Sequence, residues 1–228
     1  MKKLLTIIGV LLIIFIGMYI YKSNSIKQTN VNVSEVEEIE EYISKIYMWK
    51  EITGEALPRF DNINDAPDLW VWEVVKKNLD NYELTYSEIQ DKSIEIFGEN
   101  FKKQFPKEGS EFIYYDDNEG KYLTTGIGLD AQEDMFLIKK INKNKKNYEV
   151  EIVEYIEDYQ NAMELEDEKQ IYDVYIKNLN DDIVATVKST QSETKTIEIV
   201  KENIDKFTTK KVNLGIDSSG KLYVESVK

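Results

Sequence analysis

The side chains that carry out most protein chemistry are missing from this chain. It has no histidine and no cysteine, which excludes Ser-His and Cys-His nucleophile pairs, disulfides, thiol catalysis and zinc–thiolate sites. The imidazole that most often serves as a general base is absent for the same reason. The remaining candidates for catalysis are hydroxyl, lysine and carboxylate groups.

Two Ser-x-x-Lys motifs occur, at residues 192–195 and 218–221. In serine acyl-transferases of the penicillin-binding type, such a lysine activates a serine one helical turn away. The Ser-Asp-Asn and Lys-Thr-Gly motifs that accompany it there are absent, and a chain this rich in lysine is expected to contain such matches by chance. We therefore predict no catalytic serine.

Carboxylates are abundant, with 43 acidic against 29 basic residues and a net charge of −14. Glycoside hydrolysis needs only two carboxyl groups about 5–9.5 Å apart across a cleft, so a carboxylate-based envelope hydrolase is the alternative function. Most adjacent acidic pairs lie in predicted turns, where aspartate side chains bind the backbone. These pairs are Asp116-Asp117, Glu133-Asp134, Glu157-Asp158 and Asp181-Asp182.

Two oxygen-rich runs, 61–65 and 116–120, offer the ligand type that calcium prefers. Their spacing departs from an EF-hand loop, because Ile63 occupies the third position of the first run and Ile127 the twelfth position of the second. A role in turns and helix caps is the better explanation for these two runs. We predict no metal, no cofactor and no catalytic residue.

The first segment of the chain predicts a membrane location. Residues 4–20 are apolar apart from a few interruptions, and no acidic residue precedes Glu35. As a helix this run is about 25 Å long, close to the roughly 30 Å hydrocarbon core of a bilayer. We predict an N-terminal anchor at 1–22, a tether at 23–33 and a single extracytoplasmic domain at 34–228. The alternative is an export signal that is cleaved, which would release a secreted protein.

The composition indicates the kind of organism that the chain comes from and the classes of partner that it can bind. Arg59 is the single arginine, and the chain is rich in lysine, isoleucine, asparagine and glutamate, which indicates an AT-rich Gram-positive genome. A strongly acidic surface repels nucleic acid. The predicted partners are the membrane, through the N-terminal helix, and another envelope protein.

Hydrophobic periodicity predicts three helices followed by strands. The helices cover 34–51, from about 64 to 79, and 85–105, with capping boxes at Ser34 and Thr85 and a stop at Pro106. The hairpins are 112–115 with 121–125, 135–141 with 148–156, 171–177 with 183–189, and 211–216 with 222–227. Residues 197–207 fit a helix, although their first part also fits a strand. In strand 148–156, Glu149, Glu151 and Glu154 are expected on the wet face.

This order of elements predicts an α+β fold. Three helices would pack on one face of a curved antiparallel sheet, giving a cone-like roll with a pocket at its mouth. The aromatic residues predicted to line that pocket are Trp70, Trp72, Tyr114 and Tyr172. Packing in the core and on the sheet is the alternative use of these side chains.

The end of the chain, 207–214 followed by 219–227, has a strand, a glycine turn and a Gly-Lys-Leu-Tyr-Val strand. With the order of elements over 34–228, it resembles the nuclear transport factor 2-like (cystatin-like) superfamily, and in particular its uncharacterised membrane-anchored firmicute members. The resemblance implies the cone-like fold. It implies no single function, because members range from enzymes to protein-binding and transfer-machinery subunits. Enzymatic members that use Asp and His need a histidine that this chain lacks.

We therefore predict a non-catalytic binding or interaction domain at a bacterial envelope. Besides the hydrolase, a second alternative is a structural accessory subunit of a membrane complex.

Overall fold

The computed structural model describes residues 27–29, 31–79, 81–125, 132–145, 147–159 and 171–228, and over these ranges the chain is an α+β protein. The predicted anchor at 1–22 lies outside the described residues. Among the helices that are described, none combines the length and the apolar character needed to cross a bilayer. The described helices are α1 (Val33–Ile46), α2 (Lys50–Thr53), α3 (Asp68–Lys77), α4 (Tyr86–Phe97) and α5 (Ser192–Glu202).

Within the described ranges ten strands form two sheets, one of seven strands and one of three. The small sheet has the order β2-β4-β3, and the other strands belong to the large sheet. The strands are β1 (Lys27–Thr29), β2 (Glu83–Leu84), β3 (Ile113–Asp116), β4 (Lys121–Thr124), β5 (Gln132–Asn144), β6 (Asn147–Asp158), β7 (Asp173–Lys177), β8 (Ile183–Lys188), β9 (Thr208–Ile216) and β10 (Leu222–Val227).

Strand β6 is the centre of the large sheet. One of its edges pairs antiparallel with β5 along its whole length. Its other edge is shared, because 147–154 pair with β9 and 156–158 pair with β7. The sheet therefore branches at the far end of β6, with β9 and β10 on one branch and β7 and β8 on the other.

The two faces of β6 belong to two different hydrophobic cores. Val150 and Ile152 are buried in the main core, together with apolar residues of α1, α3 and α4. Val153 and Tyr155, on the opposite face, are buried with β7, β8 and Val200 of α5. The prediction of three helices on one face of the sheet is thus incomplete. A further helix, α5, packs against apolar residues on the second face of β6. Residues 197–207, for which the sequence allowed either a helix or a strand, are helical up to Glu202.

Two predicted helix ends were wrong. Helix α1 ends at Ile46, since Tyr47 and Trp49 have extended backbone conformations. Helix α4 ends at Phe97, where Gly98 has a φ of 84°. The capping box predicted at Thr85 is confirmed.

The start of the first helix also differs from the prediction. The first capping box joins Asn32 to Glu35, so α1 begins at Val33 and its cap precedes the predicted Ser34. Within the predicted tether, Lys27–Thr29 forms β1, which pairs parallel with β5.

Glu35 ties the start of α1 to the β5–β6 hairpin. Its Oε2 accepts from the Asn32 backbone N–H at 2.9 Å. Its Oε1 accepts from the Tyr148 hydroxyl at 2.8 Å and forms an ion pair with Lys143. The bonds from Lys143, Asn32 and Tyr148 lower the pKa of Glu35 to about 2.

We expect Glu35→Gln to lower the free energy of unfolding at pH 7 by about 1–2 kcal/mol, allowing for partial screening by solvent. Because the pKa of Glu35 is lower in the folded state, its carboxylate stabilises the fold above about pH 4.5, and this contribution is lost as the pH falls towards 2. Urea denaturation between pH 7 and pH 2.5 measures both effects. The exposed Glu37 provides the matched control, and Glu37→Gln should change stability by less than about 0.5 kcal/mol. A constant difference between Glu35→Gln and the wild type across this pH range would contradict the assignment.

Candidate ligand-binding cavity

Helix α3 positions the candidate site. Trp70, Val71, Val74 and Val75 are completely buried in the main core, so the rotation of the helix about its axis is fixed by packing. With those side chains buried around the helix, Glu73 is also held inside the protein.

The end of α3 is bonded to the end of α1. Lys77 Nζ donates to the carbonyl oxygens of Ser44 at 2.9 Å and Tyr47 at 2.7 Å. Asn78 Nδ2 donates to the carbonyl of Lys45 at 2.9 Å. These bonds satisfy carbonyls that the helix end leaves without intrahelical partners. Burial lowers the pKa of Lys77.

A cavity of about 550 Å³ opens beside this junction. It lies between the extended segment after α1, the second half of α3, the segment before β2 and the end of β4. Its volume falls within the range usual for small-molecule sites. The described residues that line it are Tyr47, Met48, Trp49, Glu73, Lys76, Lys77, Leu79, Asn81, Tyr82, Thr124 and Thr125.

Glu73 is the acidic residue in this lining, and only 1% of its surface is exposed. Its Oε2 lies 3.5 Å from Lys76 Nζ. Its Oε1 is buried and has no hydrogen-bond partner among the described residues. Burial raises the pKa of Glu73, and the neighbouring Lys76 opposes that rise. An acceptor that is shielded from water and unpaired costs free energy, so Glu73 is held in the protein at a cost to stability.

Lys76 supplies the positive charge beside Glu73. Its side chain is 10% exposed, and its ammonium lies 4.8 Å from the centre of the Phe112 ring. An ammonium has three donors, and the structure assigns one of them to Glu73. The cavity is thus lined by a nearly buried ion pair.

Aromatic side chains surround the rest of the cavity. Trp49 is 41% exposed and Tyr82 is 80% exposed. Tyr47 is buried; its ring lies 5.0 Å from the ring of Phe136, and its hydroxyl donates to the Met135 carbonyl at 3.1 Å. Aromatic faces of this kind bind apolar groups and stack on planar ones.

Tyr47 also connects the cavity to a buried ion pair. Its hydroxyl lies 3.3 Å from Glu154 Oε1. Glu154 is completely buried and Lys210 is 3% exposed, and Lys210 Nζ lies 3.1 Å from Glu154 Oε2. Lys210 Nζ also donates to the Leu57 carbonyl and lies 3.2 Å from Glu55 Oε2. Burial raises the pKa of Glu154, and Lys210 limits that rise.

The predicted wet-face position of Glu154 was wrong. Because side chains alternate along a strand, Glu154 shares a face with Val150 and Ile152 rather than with Glu149 and Glu151. That face is the main core, where a charge is tolerated only with a partner. Lys210, opposite Ile152 on β9, is that partner.

Removing one member of this pair should be costly. We expect Lys210→Met to lower the free energy of unfolding by about 3–5 kcal/mol, because Glu154 would be left buried without its counter-charge. The double variant Lys210→Met/Glu154→Leu should be less destabilised than the single one.

Urea denaturation of the set measures these effects. The matched control is Lys211→Met on the same strand, where the lysine side chain is 55% exposed, and its effect should stay below about 0.5 kcal/mol. Equal effects of Lys210→Met and Lys211→Met would show that the buried pair contributes nothing.

The four aromatic residues predicted to line a pocket lie elsewhere. Trp70 is in the core, where its Nε1 donates to the Ala56 carbonyl at 3.3 Å. Trp72 is 2% exposed and makes edge contacts with Phe101 and Phe105. Tyr114 is 45% exposed on β3, and Tyr172 packs against the second core. None of these four is among the residues that line the 550 Å³ cavity.

The other candidates have local structural roles. Residues 218–221 turn the last hairpin, with Asp217 Oδ1 accepting from the backbone of Ser219 and Lys221. Residues 192–195 lie at the start of α5. Asp116 Oδ1 accepts from the Asn118 backbone at 2.8 Å, and Asn62 caps a short 3-10 helix. In the described ranges no group of three or more acidic side chains could hold a metal ion.

The cavity residues escaped sequence reasoning for different reasons. Glu73 carried a usable signal, because it is an acidic residue in the middle of the apolar run Leu69–Val75. Trp49 was assigned to the interior of a longer helix, and Tyr82 to no element. Their proximity depends on how α1 and α3 meet, which no local pattern records.

Acrylamide quenching of tryptophan fluorescence tests the exposure of the cavity. The chain has three tryptophans, and Trp49 is 41% exposed whereas Trp70 and Trp72 are at 0% and 2%. We expect Trp49→Phe to remove nearly all of the quenchable fluorescence, and Tyr114→Phe, which changes another exposed aromatic residue, to leave it intact. Strong quenching that persists in Trp49→Phe would mean that α3 is not buried as described.

Comparisons of the chain with protein-family models, with curated proteins and with solved structures found no significant match in any of the three.

Proposed function

We propose that this protein is a non-catalytic binding domain that holds a small, largely apolar ligand in the cavity beside α3. The observation that carries the proposal is a cavity of about 550 Å³ that is rimmed by the exposed aromatic residues Trp49 and Tyr82 and lined by the ion pair of Glu73 and Lys76. Such a combination of apolar lining and few polar groups is typical of small-molecule sites.

The placement of this domain is part of the same proposal. The apolar run at residues 4–20 and the lack of acidic residues before Glu35 support a membrane anchor, with the domain outside the cell of a Gram-positive bacterium. A cleaved signal, which would give a secreted protein, is the alternative. The partners are then the membrane and another envelope protein.

The cone-like roll and membership of the nuclear transport factor 2-like superfamily are proposals as well. Three helices, α1, α3 and α4, bury their apolar faces against one side of the sheet, and the cavity lies beside two of these helices. This arrangement is compatible with a pocket at the mouth of a cone.

The hydrolase alternative has weaker support. A glycosidase needs two carboxyl groups facing the same cleft, whereas Glu73 is the one carboxyl among the described residues that line this cavity. The accessory-subunit alternative has no residue-level feature that distinguishes it from a binding domain.

Binding of 4-fluorotoluene to the full-length chain in lipid nanodiscs tests the proposal, with empty nanodiscs as the blank and ¹⁹F NMR as the readout. We expect saturable binding to the wild type and at least a tenfold loss of affinity in Thr124→Phe, because the larger side chain occupies the cavity. The control Thr186→Phe adds the same ring to an exposed position of β8 and should bind like the wild type. No saturable binding, or equal binding by both variants, would reject the cavity as a ligand site.

A further inference from the structure

Two exposed aromatic side chains in the cavity lining have no ring partner among the described residues. Trp49 and Tyr82 both line the cavity, at 41% and 80% exposure, and neither belongs to a ring–ring contact in the described part of the chain. The third aromatic residue of the lining, Tyr47, already packs on Phe136. Uncovered rings can stack on a planar group, so this lining favours a flat aromatic body over a saturated ring of similar size.

The same lining contains a cation without a carboxylate partner. Lys77 Nζ donates to the carbonyl oxygens of Ser44 and Tyr47, and no described carboxylate pairs with it. An ammonium has three hydrogens, so one remains for a ligand. The bond to Ser44 is exposed, so solvent can approach this ammonium, although partial burial lowers the pKa of Lys77. A ligand anion would supply the missing counter-charge.

The other charges near the cavity do not cancel that of Lys77. Glu73 and Lys76 pair with each other at 3.5 Å and contribute no net charge. Glu111 acts on Glu73 and raises its pKa, but Glu111 is exposed and is not part of the described lining, so water and salt screen its charge. The end of α1 adds a partial negative charge of only about half a unit. The described lining therefore has one acidic and two basic side chains, in a chain whose net charge is −14.

We propose that the ligand of this cavity is an aromatic acid, in which a planar ring carries a carboxylate. The ring lies against Trp49 and Tyr82, and the carboxylate accepts a hydrogen bond from Lys77. Neither contact involves the buried carboxyl of Glu73. This inference rests on the proposed function, because it specifies the ligand class of the same cavity.

Four fluorinated probes test this ligand class: 4-fluorophenylacetate, its amide, 4-fluorophenethylamine and (4,4-difluorocyclohexyl)acetate, in which a saturated ring replaces the planar one. Their affinities for the full-length chain are measured at pH 7 by ¹⁹F NMR in phosphatidylcholine nanodiscs, with empty nanodiscs as the blank. We expect 4-fluorophenylacetate to bind at least about fivefold more tightly than the amide and the amine, and at least about threefold more tightly than the saturated acid. If its affinity does not exceed those of all three other probes, the inference is overturned.

A variant of Lys77 tests the role of the charge. Lys77→Gln removes the charge but keeps two N–H donors for the carbonyls at the end of α1. We expect it to bring the affinities of 4-fluorophenylacetate and its amide to within about twofold of each other. The control Lys188→Gln removes a charge from an exposed position of β8 and should keep the wild-type ratio. An unchanged ratio in Lys77→Gln, or an equal fall in both variants, contradicts the role of Lys77.

A second set of variants tests the role of the rings. The double variant Trp49→Leu/Tyr82→Leu should abolish the preference for 4-fluorophenylacetate over the saturated acid, because both uncovered rings are removed. Tyr114→Leu changes an exposed aromatic residue outside the described lining and should keep that preference. A preference that survives in the double variant shows that these rings do not select the ligand.

Binding of 4-fluorotoluene separates this inference from the proposed function. Saturable binding of that probe without a preference for the aromatic acid would leave the cavity as a ligand site and reject only the ligand class. The same probe reports whether Lys77→Gln retains the cavity. If this variant no longer binds 4-fluorotoluene, the ranking of the four probes on the wild type decides the matter.

Discussion

The buried ion pair between Glu154 and Lys210 is the interaction on which the arrangement of this protein depends most. Lys210 Nζ and Glu154 Oε2 lie 3.1 Å apart in the main core, where neither charge would be tolerated alone. Through Tyr47 the pair reaches the cavity, and through the Leu57 carbonyl it holds the chain that follows α2. A purely apolar pair at these positions would bury similar area but would not fix the segment 47–57 by directed bonds.

The same segment gives the cavity its shape. Helix α1 ends at Ile46, and Tyr47 to Trp49 run in an extended conformation beside α3. Lys77 and Asn78 bind the carbonyls that this ending exposes. A longer α1 would carry Tyr47 and Trp49 around the helix axis in different directions. The cavity thus owes its shape to the early end of α1, whose carbonyls accept hydrogen bonds from Lys77 and Asn78 at the end of α3.

The sequence was informative wherever a single periodic pattern decided the outcome. The α+β class, the capping box at Thr85 and all four main hairpins followed from local residue patterns. Prediction failed for two acidic residues that are buried among apolar neighbours. Glu154 was predicted to face solvent because it is charged, although the alternation of side chains along the strand places it on the same face as Val150 and Ile152. Glu73 was overlooked because its apolar neighbours dominated the helix. In both cases a lysine forms an ion pair with the buried glutamate. Lys210 is remote from Glu154 in the sequence. Lys76 is close to Glu73 in the sequence, but their pairing is buried only because α3 packs inside the core.

The parallel pairing of β1 with β5 limits how far the domain can lie from its proposed anchor. Four residues separate Lys22 from Lys27, so even a fully extended connection measures about 17 Å. A domain attached in this way would lie close to the bilayer surface. Tension on the chain would act first on the short β1–β5 ladder.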